Sequence, residues 1–134
     1  MKVGFTCGAW DLFHAGHVLF LKEAKSHCDY LVVGLHTNPN IDRASKNVPV
    51  QTTYERYIQL MGCRHVDEIV PYDTELDLLN VLSTMKFHVR FLGTDYENKA
   101  FTGDNVLLDI IYIDRSHNYS TSELRNRISY TKNA

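Results

Sequence analysis

The stretch "VGFTCGAWDLFHAGHVLFLKEA", residues 3–24, decides the fold. Lys2 to Gly8, with the apolar run Val3 to Phe5, reads as a strand. Ala15 to His27 reads as a helix, with Val18, Leu21 and Ala24 on one face and Lys22 and Lys25 available to water. Two histidines, His14 and His17, flank Gly16 just where the strand gives way to the helix.

The same alternation runs outward from this stretch. "DYLVVGLH", residues 29–36, is nearly continuous in apolar residues and suits a strand buried on both faces. The polar loop "TNPNIDRASKNVPV" follows and holds two of the three prolines. Thr52 or Thr53 can cap a helix running to about Met61. "VDEIVPY" is a third strand, expected to end at Pro71. Glu75 to Met85 is a helix, with Leu76, Leu79 and Leu82 at spacings of three. "HVRFLG" and "LLDIIYI" are a fourth and a fifth strand, and Ser120 to Tyr130 is the last helix. Strands alternating with helices predict an α/β domain over residues 1–134: a Rossmann-like, mostly parallel sheet of about five strands with helices on both faces. Ligands bind such sheets beyond the carboxyl ends of the strands. The polar motifs fall there: "GAWDLFHAGH", "HTNPN", "GTDYENKAFTG" and "DRSHNYSTSE".

Composition excludes several classes. The 134 residues carry a net charge of -2, which gives no strong pull towards nucleic acid or an anionic membrane. No stretch is apolar for long enough to span a bilayer, and no signal-peptide pattern opens the chain. Cys7, Cys28 and Cys63 are odd in number and far apart, so they fit neither a disulfide framework nor a zinc pattern. Free thiols in a reducing, cytoplasmic setting are the expectation.

Three chemistries compete for His14 and His17. A metal site needs further His, Cys or carboxylate partners, and none has a recognisable spacing nearby. A structural role in the core or at a cap is a second reading. The third is an anion site: a helix opening at Gly16 aims free N–H groups and its positive dipole end at the top of the sheet, and two imidazoles add donors.

"HAGH" after a first strand, preceded by "GAWD", resembles the signature of the nucleotidyltransferase superfamily, and the chain is most similar to its glycerol-3-phosphate cytidylyltransferase-like group. "CRHVDEIVP" at 63–71 resembles that group's RxVDEV segment, "FLGTDYENK" at 91–99 its GxDWxGK segment, and "RSHNYSTSELRNRI" at 115–128 its RxxGxSTT segment. The resemblance implies transfer of a nucleotidyl group from a nucleoside triphosphate to a phosphate ester, with release of pyrophosphate. It implies catalytic roles on the triphosphate for His14, His17, Lys46 and Arg115. Nucleotide binding falls to Cys7, Gly8, Ala9, Trp10, Gly16, Gly93, Asp95, Tyr119, Ser120 and Thr121, and the acceptor to Asp11, Asn38 and Arg64. It further implies CTP and a small phosphorylated acceptor as partners, Mg2+ brought by the triphosphate without a protein-held metal site, and a homodimer.

Local alternatives stand beside these roles. Lys46 also reads as a solvated loop charge, Arg64 as a salt bridge to Asp67 or Glu68, Asp11 as a brace, and Ser120 as an N-cap with Glu123 completing a capping box. Three departures from the group's pattern cluster around substrate recognition. "GAWD" replaces GTFD, Asn38 stands in "HTN" where the group has an acid, and "RSHNYSTS" brings in His117 and Tyr119. An adenylyltransferase using ATP, a non-catalytic nucleotide sensor and a flavodoxin-like binding domain are the alternatives.

Overall fold

The structure is a computed structural model that describes residues 1–115 and 117–132. Its strands are β1 (Val3–Gly8), β2 (Tyr30–His36), β3 (Glu68–Tyr72), β4 (Val89–Gly93) and β5 (Asp109–Ile113). Its α-helices are α1 (Ala15–Ser26), α2 (Thr53–Met61), α3 (Glu75–Thr84) and α4 (Thr121–Lys132). The described strands make one sheet in the order β3-β2-β1-β4-β5, every pair parallel. The chain adds strands to one side of β1, then crosses to the other, so the switch point lies between β1 and β4. β1 pairs with β2 from Val3 to Gly8, but with β4 only at Gly4 and Phe5.

Each face of the sheet has its own core. Leu21 and Ala24 of α1 and Leu60 of α2 pack on Leu31, Val33, Leu35, Val89 and Phe91. Leu78 and Leu82 of α3 pack on Phe5, Val32 and Tyr72. The helices begin where polar caps allow. Thr52 Oγ1 accepts from the Glu55 amide and Thr74 Oγ1 from the Asp77 amide, each in a reciprocal capping box.

Three expectations are corrected. Pro71 does not end β3 but lies inside it, paired in register with Leu35. β3 is an edge strand with one neighbour, so a missing N–H on its outer side costs the ladder nothing. Leu76 does not share the buried face of α3, being 66% exposed, and Leu78 and Leu82 fill that face instead. The fifth strand also starts later than the apolar run, and Leu107 is fully exposed.

The loops at the carboxyl end are fixed by a buried arginine. Arg56 of α2 is 2% exposed, and its guanidinium donates to the carbonyl oxygens of Gln51 (3.2 Å), Ala9 (3.0 Å), His36 (2.7 Å) and Thr37 (2.6 Å). It thereby ties the loop after β1 to the end of β2 and the start of α2. Burial pulls its pKa down, and the nearby Asp11 charge opposes that. Hydrogen bonds to a charged group are worth about 1.5–3 kcal/mol each, and removing this one leaves several carbonyls without a donor. Arg56→Met is therefore expected to cost at least about 3 kcal/mol in urea unfolding, and Arg56→Lys, which cannot fork between the loops, is expected to recover little of it.

Candidate active site

The end of β1 opens into the segment "AWDLFH", which contains two left-handed residues, Trp10 (φ 54°) and Leu12 (φ 50°). Such backbone costs about 1–3 kcal/mol per residue and persists only where neighbours hold it. Asp11 stands between the two and does so. Its carboxylate accepts from the amides of Val50 (2.8 Å) and Gln51 (3.0 Å) and from Arg125 of α4 (3.1 Å), and its carbonyl from Thr121 Oγ1 (3.2 Å). The Leu12 amide donates to Gln51 Oε1 at 2.8 Å. Of the two readings of Asp11, the brace is what these contacts make. Trp10 is buried, its Nε1 donates to the Gly34 carbonyl (3.0 Å), and its ring meets His17 edge-on at 5.4 Å.

This segment delivers the two histidines to the first turn of α1 in a particular state. His14 is the N-cap: its Nδ1 accepts from the Gly16 amide at 3.0 Å, and His17 Nδ1 accepts from the His14 amide at 3.1 Å. The rings stack with centroids 3.9 Å apart. An Nδ1 that accepts carries no proton, so each neutral ring keeps its N–H on Nε2 as a donor for something else. Burial lowers both pKa values, that of His17 to about 3, and the Arg115 charge and the neighbouring imidazoles add to the effect. Both rings are neutral near pH 7. Gly16 has no room for a side chain: a Cβ there would lie 2.8 Å from His14 and 3.0 Å from a third imidazole, that of His117.

A cleft of about 560 Å³ lies over the carboxyl ends of the strands. Cys7, Gly8, Ala9, Trp10, Asp11, His14, Gly16 and His17 line it from the β1 side. Gly93, Asp95, Arg115, Tyr119, Ser120 and Thr121 line it from the β4–β5 side, and exposed Lys46 reaches it from the loop after β2. Arg115 pairs with Asp95 at 3.1 Å, both about half exposed. Ser120 Oγ accepts from the Glu123 amide (3.0 Å), so α4 opens its N-terminus on the cleft beside that of α1. The Glu123 carboxylate turns to Arg127 (3.2 Å).

Arg64 and Asn38 do not join the cleft. Arg64 precedes β3, at the amino end of the sheet, beside Phe13, Ile58 and Cys63 on a separate shallow hollow. The salt bridges considered for it are taken elsewhere: Asp67 pairs with Lys25, and Glu68 accepts from Tyr30 Oη (2.8 Å). Asn38 is exposed, and its carbonyl serves the Ile41 amide at 3.1 Å.

Sequence reasoning missed four residues that the fold puts on or under the cleft: His36, Arg56, Arg90 and Arg125. Arg56 did leave a trace. It falls on the stripe Thr53, Arg56, Tyr57, Leu60, where a helix of this period turns to the core.

Two helix N-termini and a neutral histidine pair at the switch point of a parallel sheet are features that α/β nucleotide-binding folds use towards phosphate groups. Among such folds, this chain belongs to the cytidylyltransferase-like family, whose model matches residues 5–127. It is 34% identical over 133 residues to the bifunctional protein HldE of Campylobacter concisus, covering 98% of this chain and 28% of that protein. It is also 34% identical to a probable ethanolamine-phosphate cytidylyltransferase of Encephalitozoon cuniculi, covering 95% of this chain and 40% of that protein. The chain thus spans well under half of the curated relatives it matches. A lipopolysaccharide core biosynthesis protein from Thermoplasma volcanium shares the fold with a TM-score of 0.62 at 20% identity, over 98% of this chain and 89% of that one. Among the described residues no helix is long and apolar enough to cross a membrane.

The lowered histidine pKa values carry a pH dependence. Between pH 6.5 and about 3 the unfolded chain protonates His17 while the folded one does not. Stability is therefore full above pH 6.5 and falls as the solution is acidified, by up to about 1.4 kcal/mol per pH unit for one such group. Urea unfolding at pH 7, 6 and 5 is expected to show that decline, and a shallower one in His17→Asn.

Proposed function

We propose that the protein transfers CMP from CTP to a small phosphorylated acceptor and releases pyrophosphate. The observation that carries the reading is the capped histidine pair. Both Nδ1 atoms are engaged by backbone amides, which leaves two neutral Nε2–H donors at the N-terminus of α1. An acceptor phosphate oxygen attacks the α-phosphorus, its bond to the bridging oxygen breaks, and pyrophosphate departs with that electron pair. An ionised acceptor needs no strong base, so the protein's work is positioning and charge stabilisation. The histidines donate to the α-phosphoryl oxygens as charge gathers in the five-coordinate state. Lys46, Arg115 and the N-terminus of α4 hold the β and γ phosphates.

The carboxylates here, Asp11 and Asp95, are already paired with Arg125 and Arg115, and the remaining polar groups are imidazoles, guanidinium, ammonium and amides, a set suited to phosphate oxygens rather than to a hard dication. Magnesium then enters as part of the nucleotide substrate, held by the phosphates. Asp95, with Tyr96 and Tyr119 at the same mouth, is assigned to the base, where a carboxylate accepts from the cytosine amino group.

His14→Asn keeps an N-capping acceptor and removes the imidazole Nε2–H. It is expected to lower kcat by about 10²–10³-fold with little change in folding stability, and His17→Ala by a similar factor. Pyrophosphate release is measured with each of the four triphosphates and magnesium across a panel of phosphorylated acceptors. Release with CTP is expected; faster release with ATP would move the protein to adenylyl transfer, and release with none would overturn the reading.

A further inference from the structure

On the β-sheet face covered by α3, the cleft has a second polar wall that the histidine chemistry leaves unused. Cys7, His36, Tyr72, Arg90 and Phe101 line it. Arg90 is 3% exposed and His36 7% exposed, yet Arg90 Nε and His36 Nε2 are buried without a hydrogen-bond partner. Arg90 donates to the Thr102 carbonyl (2.6 Å) and reaches Cys7 Sγ (3.7 Å), and Phe101 lies under its guanidinium at 5.1 Å. Among the described residues no carboxylate pairs with it; Glu75 on the same wall faces Arg43 at 3.9 Å. His36 stacks on Tyr72 at 4.6 Å, and burial raises the Tyr72 pKa, so the phenol stays neutral.

Arg56 is the internal comparison. It is equally buried, but four backbone carbonyls surround it. Arg90 has one carbonyl, a thiol and a ring, with a nitrogen left over. A buried cation is tolerated when it is paired and hydrogen-bonded, and what Arg90 lacks is an anion.

We propose that Arg90 and His36 form an oxyanion subsite that holds a phosphate group of the acceptor, on the opposite sheet face from the histidine pair. The guanidinium offers Nε–H to the anion. His36 Nε2 either accepts from a protonated phosphate oxygen or, once protonated, donates to it. Neutral Tyr72 and the Cys7 thiol complete the wall beside them, and the one carboxylate described on it, Glu75, faces Arg43. The inference rests on nucleotidyl transfer for the naming of the acceptor, while the subsite itself rests on the buried groups.

Inorganic phosphate is the probe. The protein, with ¹³C-labelled histidine and a non-hydrolysable CTP analogue present to occupy the triphosphate grip, is titrated with phosphate and followed by NMR. Saturable movement of the His36 resonance is expected, weakened at least tenfold in Arg90→Leu and less in Arg90→Lys. A His36 signal that ignores phosphate in the wild type overturns the proposal, whether or not the leucine variant folds. So does movement confined to His14, His17 and His117, or equal affinity in a folded Arg90→Leu. Pyrophosphate release is read separately: an active enzyme with a silent His36 loses the subsite alone, and a responsive His36 without turnover loses the transfer reaction alone.

Discussion

Everything at the cleft end of the sheet hangs on how one guanidinium meets four carbonyl oxygens. The loops after β1 and β2 carry polar backbone into a region where water is scarce, and a buried carbonyl without a donor costs on the order of 1–3 kcal/mol. Arg56 supplies donors to Ala9, His36, Thr37 and Gln51 from a single planar group, in directions a lysine could not reach. Asp11, close enough to favour the Arg56 charge, holds the amides of Val50 and Gln51 and anchors α4 through Arg125. The strained turns at Trp10 and Leu12 sit between these two anchors. Charge and backbone hydrogen bonds hold Asp11 and Leu12 in place, and Trp10 is also held by its burial in the apolar core on the α1 face.

The histidines show how one side chain can be used by the fold and still be left available to a ligand. A capping role consumes Nδ1, which fixes the tautomer, and a fixed tautomer presents Nε2–H to the cleft. Burial then keeps the rings uncharged. At these positions a structural role does not compete with anion binding, because capping engages Nδ1 and leaves Nε2 of the same ring for a ligand.

The sheet is legible in the sequence because each strand is a short apolar run closed by polar residues. Where a run includes flanking residues, as with Leu107, periodicity cannot say which pair with a neighbour. The helix spanning 75–84 shows a subtler failure. Successive steps of three residues drift by about 60° around a helix, so Leu76 and Leu82 cannot face the same core, whereas Leu78 and Leu82, four apart, can. Motif reading found most of the cleft because its segments follow strands directly. It failed at Arg64, whose motif precedes β3 and so lies at the wrong end of the sheet. Arg56 and Arg90 escaped because a charged residue inside an amphipathic pattern looks like an error in the pattern until its distant partners are known.

The seam between β1 and β4 divides the molecule into an earlier and a later half, joined in the sheet only at Gly4 and Phe5. The cleft straddles that seam: His14, His17 and Lys46 belong to the first half, and Asp95, Arg115 and Ser120 to the second. Any ligand long enough to touch both walls acts as a crosslink across the weakest join in the sheet. By mass action such a ligand holds the halves together in proportion to the logarithm of its concentration. A molecule bound in the cleft is then also a tie between the two halves of the sheet, and the chain without one has its shortest run of strand pairing directly beneath the open cleft.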